Sequence, residues 1–473
     1  MTDRPNILLI TSDQHRADAL GCAGHPCVRT PHLDALAAEG LRFNRAYVDC
    51  PVCIPARTTL VTGRQAHRNG LPEFARGQRI GHPRDAFLGS RLTAAGYQTA
   101  LVGKTHWHTH PRFRAGFETW VPLTRLEQLQ AAHAPGQYGK LTGIGANDFS
   151  PTLNPFPPHL CSTNWLVDRG IEFLHERDPE QPFFLWVSLI DPHPPNTVHE
   201  PYYSMYDGED LPEPIVPDWC QRDDAPLALQ HHRAGNAHAA MKPAERRKAH
   251  GVYYGKITNL DHQIGRLLGT LISQGTFDNT VVVYSSDHGE HLGDYGDYSK
   301  STFLDASARV PLIMRYAPWR DRLGGGRVSD QLVQWADLMP TFCQWAHADL
   351  SDLELDGLSL DPICQGDDTP LRDQLHGQIG RQHMLLDDRH KYLYFNDDGR
   401  ELLFDTRADP RDQHDLSRDQ HGLLADYRQR FIDHLAHENH PDLVDGRPTN
   451  LGRTTLAPRE RDHILGWLGL GNS

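Results

Sequence analysis

A regular alternation of short apolar runs and helical segments constrains this fold more than any other feature of the sequence. The predominantly apolar runs lie at residues 6–11, 97–102, 183–189 and 280–285. Helical patterns at residues 165–177 and 245–274 lie between them. Strands that alternate with helices form mostly parallel sheets, which need a helical layer on each face. The sequence therefore predicts an α/β fold with a mostly parallel central sheet and helices on both faces.

Local signals add elements near the N-terminus. Thr30 followed by Pro31 is a typical helix start with Thr as the N-cap, and Gly40 ends that helix. Residues 42–48 are expected to form a second strand, and a helix is expected to begin over residues 56–62. This places residue 53 at a helix N-terminus, where backbone N–H groups favour anions.

The pattern changes after about residue 365. Residues 383–386, 391–395 and 401–406 read as three short strands, with a hairpin-turn signal, Asp-Asp-Gly, at 397–399. Residues 423–435 read as a helix. We therefore predict two domains: an α/β domain over residues 1–365 and a small antiparallel α+β subdomain over residues 366–473.

Composition narrows the class of partner. Lys and Arg number 47 and Asp and Glu 61, so the formal net charge is −14. An acidic chain is a poor binder of nucleic acid or anionic membranes, although a local cationic pocket for a small anion remains compatible with it. No apolar run approaches the roughly 20 residues of a membrane helix, and no signal-peptide pattern is present. Eight cysteines without a regular framework fit a reducing compartment, so we predict a cytoplasmic protein, which can also be a homo-oligomer.

The most specific motif is Cys-Ile-Pro-Ala-Arg at residues 53–57, followed by Thr-Gly-Arg at 62–64. A Cys followed at fixed spacing by Pro and Arg, and then by a Thr-Gly turn, resembles the signature of the sulfatase family. In that family a formylglycine-generating enzyme oxidises the Cys to formylglycine, an aldehyde. The resemblance implies that Cys53 is converted in this way and serves as the nucleophile. Cys50 and Cys53 also form C-x-x-C, which leaves a zinc or redox pair open.

The chemistry explains why an aldehyde is useful there. A sulfate ester is an anion that repels nucleophiles, and a hydrated aldehyde places two hydroxyls on one carbon. One hydroxyl attacks sulfur, and the other later expels the sulfate as the aldehyde re-forms, which is covalent catalysis with a built-in exit.

Two pairs of polar residues follow strands and resemble the metal motifs of the sulfatase family. Asp13 and Gln14 follow the first strand, and Asp287 and His288 follow the strand at 280–285. The resemblance implies one divalent ion, held by all four, that acts as a Lewis acid on a sulfate oxygen. Carboxylate and amide oxygens suit a hard cation, so Ca²⁺ is expected, and the imidazole keeps Mn²⁺ as the alternative. Gln14 and His288 depart from a more acidic or Asn-containing set, and resemble the arrangement of phosphonate monoester hydrolases and choline-sulfatase-like relatives.

Residues 103–106, Gly-Lys-Thr-His, follow another predicted strand and resemble the Gly-Lys-x-His element of the family. The resemblance implies that Lys104 binds sulfate oxygens. It also implies that His106 contacts the second hydroxyl of the hydrate and acts as the base that regenerates the aldehyde.

Three further elements complete the expected site. Residues 191–195, Asp-Pro-His-Pro-Pro, resemble the family's D-P-H-x-P element, which makes His193 the candidate acid for the leaving alcohol. Lys300 matches the family lysine that bridges sulfate and leaving group. Arg57 is expected to steady the hydrate and the neighbouring charges, and Asn69 is expected to bind substrate near the pocket rim.

Together these motifs predict a sulfuric ester hydrolase of the alkaline-phosphatase superfamily that acts on a small sulfated substrate. The first alternative is a phosphonate monoester or phosphodiester hydrolase that uses the same site, and the second is a non-catalytic protein that binds sulfated ligands. The identity of the alcohol is not contained in the motifs. We expect it to be set by the loops at residues 107–117 and 202–222.

Overall fold

The computed structural model describes residues 4–74, 86–107, 113–134, 147–234 and 241–455. The strands within these ranges are β1 (Asn6–Asp13), β2 (Leu41–Phe43), β3 (Ala46–Tyr47), β4 (Gln98–Gly103), β5 (Thr119–Pro122), β6 (Thr152–Leu153), β7 (Phe183–Pro192), β8 (Thr197–Val198), β9 (Thr280–Ser286), β10 (Leu312–Arg315), β11 (Arg327–Ser329), β12 (Val333–Gln334), β13 (Gln374–Ile379), β14 (Gln382–Asp387), β15 (His390–Phe395), β16 (Arg400–Asp405), β17 (Leu443–Val444) and β18 (Arg447–Pro448). The α-helices are α1 (Pro31–Glu39), α2 (Cys53–Thr62), α3 (Leu88–Ala94), α4 (Leu123–His133), α5 (Ser162–Glu176), α6 (Asp218–Gln221), α7 (Leu227–Ala234), α8 (Pro243–Ser273), α9 (Asp305–Ala308), α10 (Ala317–Leu323), α11 (Leu338–Trp345), α12 (Asp361–Cys364) and α13 (His421–His437).

The main sheet has eight strands in the order β11-β2-β10-β9-β1-β7-β4-β5. β10 runs antiparallel to both of its neighbours, and the other adjacent pairs are parallel. The predicted mostly parallel sheet is therefore confirmed. Its centre is β1, which pairs with β7 on one side and β9 on the other.

Both faces of the sheet are covered by helices, as the apolar runs predicted. Ile7 and Leu9 of β1 pack into a core with α2, α3 and α11. The alternate residues, Leu8 and Ile10, pack into a second core with α1, α5 and α8. Successive side chains of a strand point to opposite faces, so a strand covered on both faces has to be apolar throughout.

The C-terminal part forms a separate antiparallel sheet in the order β13-β14-β15-β16. Helix α13 covers one face, and the other face packs against side chains of the α/β part such as Tyr47 and Phe303. This confirms the predicted antiparallel α+β subdomain, whereas the boundary at residue 365 stays a prediction. Strand β13 was not expected, because Gly377 in its middle weakens the strand pattern. The structure needs glycine there, since a Cβ would lie 2.7 Å from the Asp49 carbonyl and from the Phe303 ring.

Two local predictions need correction. Residues 42–48 form two short strands, β2 and β3, because the chain leaves the main sheet after Phe43 and pairs with β12 instead. Helix α1 follows Thr30 as expected, but the Thr30 hydroxyl bonds the side chain of Asp34 and does not cap the helix backbone. Among the described residues, none of the helices is both long enough and apolar enough to cross a membrane.

Candidate active site

The site lies where the carboxyl ends of four neighbouring strands meet. Asp13 is the last residue of β1, Lys104 follows β4, His193 follows β7, and Asp287 follows β9. Parallel strands end at the same edge of a sheet, and ligands of open α/β sheets bind in the crevice outside that edge. The topology thus brings together residues that the sequence separates by more than 270 positions.

Cys53 lies against this edge as the first residue of α2, and it is buried. Its Sγ is 3.1 Å from His288 Nε2, 3.7 Å from Lys104 Nζ and 3.8 Å from Asp13 Oδ1. A helix N-terminus presents free backbone N–H groups, so its position and its neighbours both favour negative charge at residue 53.

The cations around Cys53 also favour negative charge on this residue. Burial and the Asp13 carboxylate raise the pKa of the Cys53 thiol, but Lys104, Lys300 and His288 outweigh them and hold this pKa well below its ordinary value. Surroundings that stabilise a thiolate stabilise any oxyanion that forms on the same residue.

Arg57 lies one helical turn after Cys53 on the same face of α2 and is fully buried. Its Nε donates to Asp287 at 2.8 Å, and its NH2 group donates to Asp13 at 3.1 Å. Its NH1 group donates to Ser188 Oγ at 2.6 Å and to the Lys104 carbonyl at 3.0 Å. Arg57 therefore ties the ends of β1, β4, β7 and β9 to α2.

Three of the four expected metal ligands, Asp13, Asp287 and His288, lie together. His288 Nε2 is 3.7 Å from Asp13 Oδ1 and 3.6 Å from Asp287 Oδ1. Ligand atoms of these three residues and the Cys53 sulfur fall within 4.8 Å of one another. Oxygen ligands lie about 2.3–2.6 Å from Ca²⁺, so two ligands of one ion are separated by about 3.3–5 Å. The donor set and its spacing therefore fit one divalent cation.

Gln14 completes this set through an unusual backbone. Its φ is 66°, a conformation that non-glycine residues adopt rarely and mostly at functional positions. Its Nε2 donates to Glu290, which fixes the orientation of the amide. Its Oε1 accepts a hydrogen bond from Lys300 Nζ at 2.6 Å and faces the site.

The pKa values of Asp13 and Asp287 shift in opposite directions, although both side chains are buried. Burial raises the pKa of Asp13, but Lys104, His193 and Arg57 outweigh it and hold the pKa well below its ordinary range. Burial and the nearby Asp13 charge raise the pKa of Asp287 to about 6, although Arg57 opposes this shift. A cation between the two carboxylates would relieve this repulsion.

The turn after β4 orients Lys104. Gly103 has a φ of 111°, and a Cβ at this position would lie 2.1 Å from the Ser188 carbonyl oxygen, so only glycine fits. The Lys104 backbone N–H donates to that same carbonyl at 3.0 Å. The lysine side chain then forms an ion pair with Asp13 beside Cys53.

His106 follows with a φ of 55° and lies within hydrogen-bonding reach of Cys53. Its ring packs edge-on against Phe74, with the centroids 5.7 Å apart. Burial and the Lys104 charge lower the pKa of His106, which favours a neutral imidazole that can accept a proton. Of the predicted loop at 107–117, residues 108–112 lie outside the described part of the chain.

His193 and Lys300 form a hydrogen-bonded pair near Cys53. Lys300 Nζ lies 2.9 Å from His193 Nε2, and His193 Nδ1 lies 2.6 Å from the Pro194 carbonyl oxygen. A carbonyl can only accept and an ammonium can only donate, so Nδ1 carries the hydrogen and Nε2 accepts from Lys300. Burial and Lys300 lower the pKa of His193 to about 4, which agrees with a neutral ring.

Two residues named from the sequence lie elsewhere. The Asn69 amide donates to Thr62 and to the Arg64 carbonyl, at the end of α2 opposite to Cys53. A helix of ten residues is about 15 Å long, so these contacts indicate a role in the turn after α2 and not beside the nucleophile. The Cys50 thiol donates to the Pro72 carbonyl, and Cys50 is not part of the metal-binding group, which gives no support to a C-x-x-C site.

Sequence reasoning missed a residue that organises the metal ligands. Glu290 is completely buried and accepts hydrogen bonds from the Gln14 amide and from the backbone N–H groups of Leu292, at 2.8 Å, and Ser299, at 2.5 Å. It stands three positions after Asp287, and an acidic residue so close to a metal motif was the available signal.

Comparisons with known proteins agree with this arrangement. A protein-family model described as Sulfatase matches residues 5–348, and one described as N-sulphoglucosamine sulphohydrolase, C-terminal, matches residues 293–437. An arylsulfatase of Clostridium perfringens is 33% identical over 459 residues, which span 91% of this chain and 93% of that protein. A multifunctional alkaline phosphatase superfamily protein of Trinickia caryophylli is 28% identical over 526 residues, spanning 96% and 99%. The crystal structure of a phosphonate monoester hydrolase of Agrobacterium radiobacter superposes with a TM-score of 0.78 at 25% identity and covers 94% of this chain and 99% of that one.

Proposed function

The chain belongs to the sulfatase family, and we propose that it hydrolyses small sulfate esters with the formylglycine form of residue 53 as the nucleophile. One observation carries the proposal: Cys53 is buried at a helix N-terminus and surrounded by Arg57, Lys104 and Lys300 in a chain whose net charge is −14. A local surplus of positive charge in an acidic protein indicates a pocket for a small anion.

Arg57 has a structural role, whereas Lys104 and Lys300 are proposed to bind the substrate. Arg57 makes four hydrogen bonds to protein acceptors, so it holds the framework. Lys104 and Lys300 both act electrostatically on Cys53 and are the residues best placed to bind sulfate oxygens. Binding a charged group in a site closed to water strengthens these interactions relative to bulk solvent.

The residues around Asp13, Gln14, Asp287 and His288 support one divalent metal ion, with Ca²⁺ proposed and Mn²⁺ as the alternative. The ion would supply Lewis-acid stabilisation of charge on a sulfate oxygen. Three of the four donors are oxygens, which favours a hard cation, and His288 is the donor that keeps Mn²⁺ in consideration.

The His193–Lys300 pair is proposed to protonate the leaving alcohol. Lys300 already donates to His193 Nε2, so a proton is held between the two side chains at the site where the alcohol would depart. His106, which also interacts with Cys53, is proposed to remove the proton that allows sulfate to leave residue 53. The two roles need separate groups, because one has to give a proton and the other has to take one.

A second candidate is hydrolysis of phosphonate monoesters or phosphodiesters with the same nucleophile. The similarity to the phosphonate monoester hydrolase over nearly the full chain favours it, as does the Asp-Gln and Asp-His metal set. Lys104 and Lys300 bind anionic oxygens whether the central atom is sulfur or phosphorus, so both activities in one protein are compatible with this site.

The proposal includes maturation by a formylglycine-generating enzyme and a cytoplasmic location. Supporting the location, all eight cysteines are unpaired, as expected in a reducing compartment. Oligomeric state stays a prediction.

The deciding experiment is a substrate panel on protein co-expressed with a formylglycine-generating enzyme. We expect hydrolysis of nitrophenyl sulfate to exceed hydrolysis of the matched nitrophenyl phenylphosphonate and of a bis(nitrophenyl) phosphodiester. Peptide mass spectrometry should find the aldehyde at residue 53 and not at Cys50. Preferential turnover of the phosphonate would select the second candidate, and full activity with unmodified Cys53 would refute the nucleophile.

A further inference from the structure

We propose that Lys256 is a positioning residue for His193: its buried ammonium fixes the loop that presents the leaving-group acid. The inference rests on the proposed function, in which His193 serves the leaving alcohol. It assigns a task to a lysine of helix α8 that none of the recognised motifs includes.

Lys256 lies in the middle of α8 and is 1% exposed. Its Nζ is 2.6 Å from the His193 carbonyl oxygen, 2.9 Å from that of Pro195 and 3.2 Å from that of Pro192. All three acceptors belong to the loop at residues 191–195. The Lys256 ammonium therefore binds the backbone carbonyls of His193 and of residues before and after it.

The composition of this loop explains the need for a cation. Pro192, Pro194 and Pro195 have no backbone N–H, so the loop carries carbonyl acceptors without the donors that would normally face them. A buried ammonium is itself unfavourable unless its hydrogens are bonded. Lys256 and the loop carbonyls satisfy each other, so this side chain contributes to the loop conformation.

Asp191 extends the attachment to a second helix. Its Oδ1 lies 3.2 Å from Lys256 Nζ, and its Oδ2 accepts a hydrogen bond from the Thr163 hydroxyl of α5. The loop is thus held from α8 and α5 together, at the end of β7.

The consequence reaches the ring of His193 directly. The Pro194 carbonyl, within the gathered loop, accepts the Nδ1 hydrogen at 2.6 Å, which leaves Nε2 facing Lys300 at 2.9 Å. If the loop shifts, both the position of Nε2 and the choice of protonated nitrogen change. A displacement of about 1 Å at such a group can cost about 100-fold in rate.

The first test replaces Lys256 by Met, which keeps the length of the side chain and removes the ammonium. Lys248→Met is the matched control, because Lys248 lies on the same helix and is ion-paired with Asp207 at the surface. We expect Lys256→Met to lower kcat for alkyl sulfates by about 10- to 100-fold, a part of the roughly 10²–10⁴-fold contribution of general acid catalysis, and kcat for nitrophenyl sulfate by less than about 3-fold. KM should change little, and Lys248→Met should leave both substrates unchanged.

The second test asks whether Lys256 acts through His193. In a double-variant cycle, Lys256→Met should add no further loss for alkyl sulfates once His193→Ala is present. A general structural role would instead lower both substrates equally and multiply with His193→Ala. Equal losses on good and poor leaving groups, or multiplicative effects in the cycle, would overturn the proposal.

Two further measurements keep the inference testable. If Lys256→Met does not fold, Asp191→Asn weakens the same attachment, and the same preferential loss on alkyl sulfates is expected on a smaller scale. If the protein hydrolyses phosphonate esters and not sulfates, the proposed function fails, and the same leaving-group comparison is made on alkyl and aryl phosphonates. Independently of turnover, ¹⁵N spectra of the histidine rings should show His193 protonated at Nδ1 in the wild type and a mixture of tautomers in Lys256→Met; an unchanged His193 signal would contradict the inference.

Discussion

Replacing Arg57 by Met should destabilise this protein more than replacing any comparably buried arginine whose partners reach solvent. Arg57 is paired with Asp13 and Asp287, and all three side chains are 0% exposed. Methionine keeps most of the apolar volume but leaves Asp287 buried without its arginine partner, whereas Asp13 keeps its ion pair with Lys104. Removing one partner of a buried ion pair typically costs about 3–5 kcal/mol, because the charge left behind can neither hydrate nor pair.

Arg315 supplies the matched control. It is 1% exposed, and it is paired with Glu39 and Asp278, which are 43% and 72% exposed. When Arg315 is replaced by Met, water hydrates both abandoned carboxylates, so we expect a loss of only about 1–2 kcal/mol. The two variants remove the same type of side chain and differ mainly in how well water can solvate the carboxylates that lose their arginine partner.

The assay is guanidinium chloride denaturation of metal-free protein, followed by tryptophan fluorescence. The free energy of unfolding of Arg57→Met should fall below that of Arg315→Met by about 2 kcal/mol or more. Adding Asp287→Asn to Arg57→Met should recover part of the loss, because it removes one buried charge. A saturating concentration of divalent cation should also reduce the difference in the free energy of unfolding between the two variants, since an ion held by the same carboxylates replaces the missing positive charge.

The difference in the free energy of unfolding between Arg57→Met and Arg315→Met should depend on pH with a definite sign. Burial already raises the folded-state pKa of Asp287 to about 6, and the loss of Arg57 removes the charge that opposes this shift, so the folded variant binds more protons near pH 5 than the unfolded chain does. The destabilisation should therefore shrink as the pH falls from 7 to 5. Equal losses for Arg57→Met and Arg315→Met, or a gap that widens on acidification, would refute the reasoning.

Three further outcomes are expected. Cys53→Ala should abolish turnover, because it removes the nucleophile. It should shift the unfolding midpoint little, because the side chain becomes only slightly smaller and no large cavity opens. Measurable turnover by this variant would exclude residue 53 as the nucleophile. Glu290→Gln should weaken divalent metal binding about 10- to 100-fold in calorimetric titration. The new glutamine amide cannot accept hydrogen bonds from all three donors that the carboxylate holds, so the Gln14 side chain becomes free to rotate. An unchanged metal affinity would show that Glu290 does not support the metal site. His193→Ala should lower kcat/KM for alkyl sulfates by about 10²–10⁴-fold and for nitrophenyl sulfate far less, because a nitrophenolate leaves without a proton; equal losses on both would contradict the assignment of the acid.

Much of the fold was predictable because its elements carry strong local patterns. Strand β1, strand β9 and helix α8 are apolar runs or long amphipathic segments, and the structure has them within two or three residues of the predicted bounds. Strand β13 was missed because Gly377 interrupts its pattern, and only the approach of Phe303 and the Asp49 carbonyl explains that glycine.

The sequence by itself predicted the candidate nucleophile and the candidate metal-binding pairs, because each motif is a few residues at a strand end or a helix start, where position along the chain and chemistry coincide. Only the tertiary structure decided which side chains hold those groups in place. Glu290 fixes the amide of Gln14 across 276 positions, and Lys256 gathers the carbonyls around His193 from 63 positions away. Such contacts depend on which strands and helices become neighbours, and no local pattern in a single sequence records that choice.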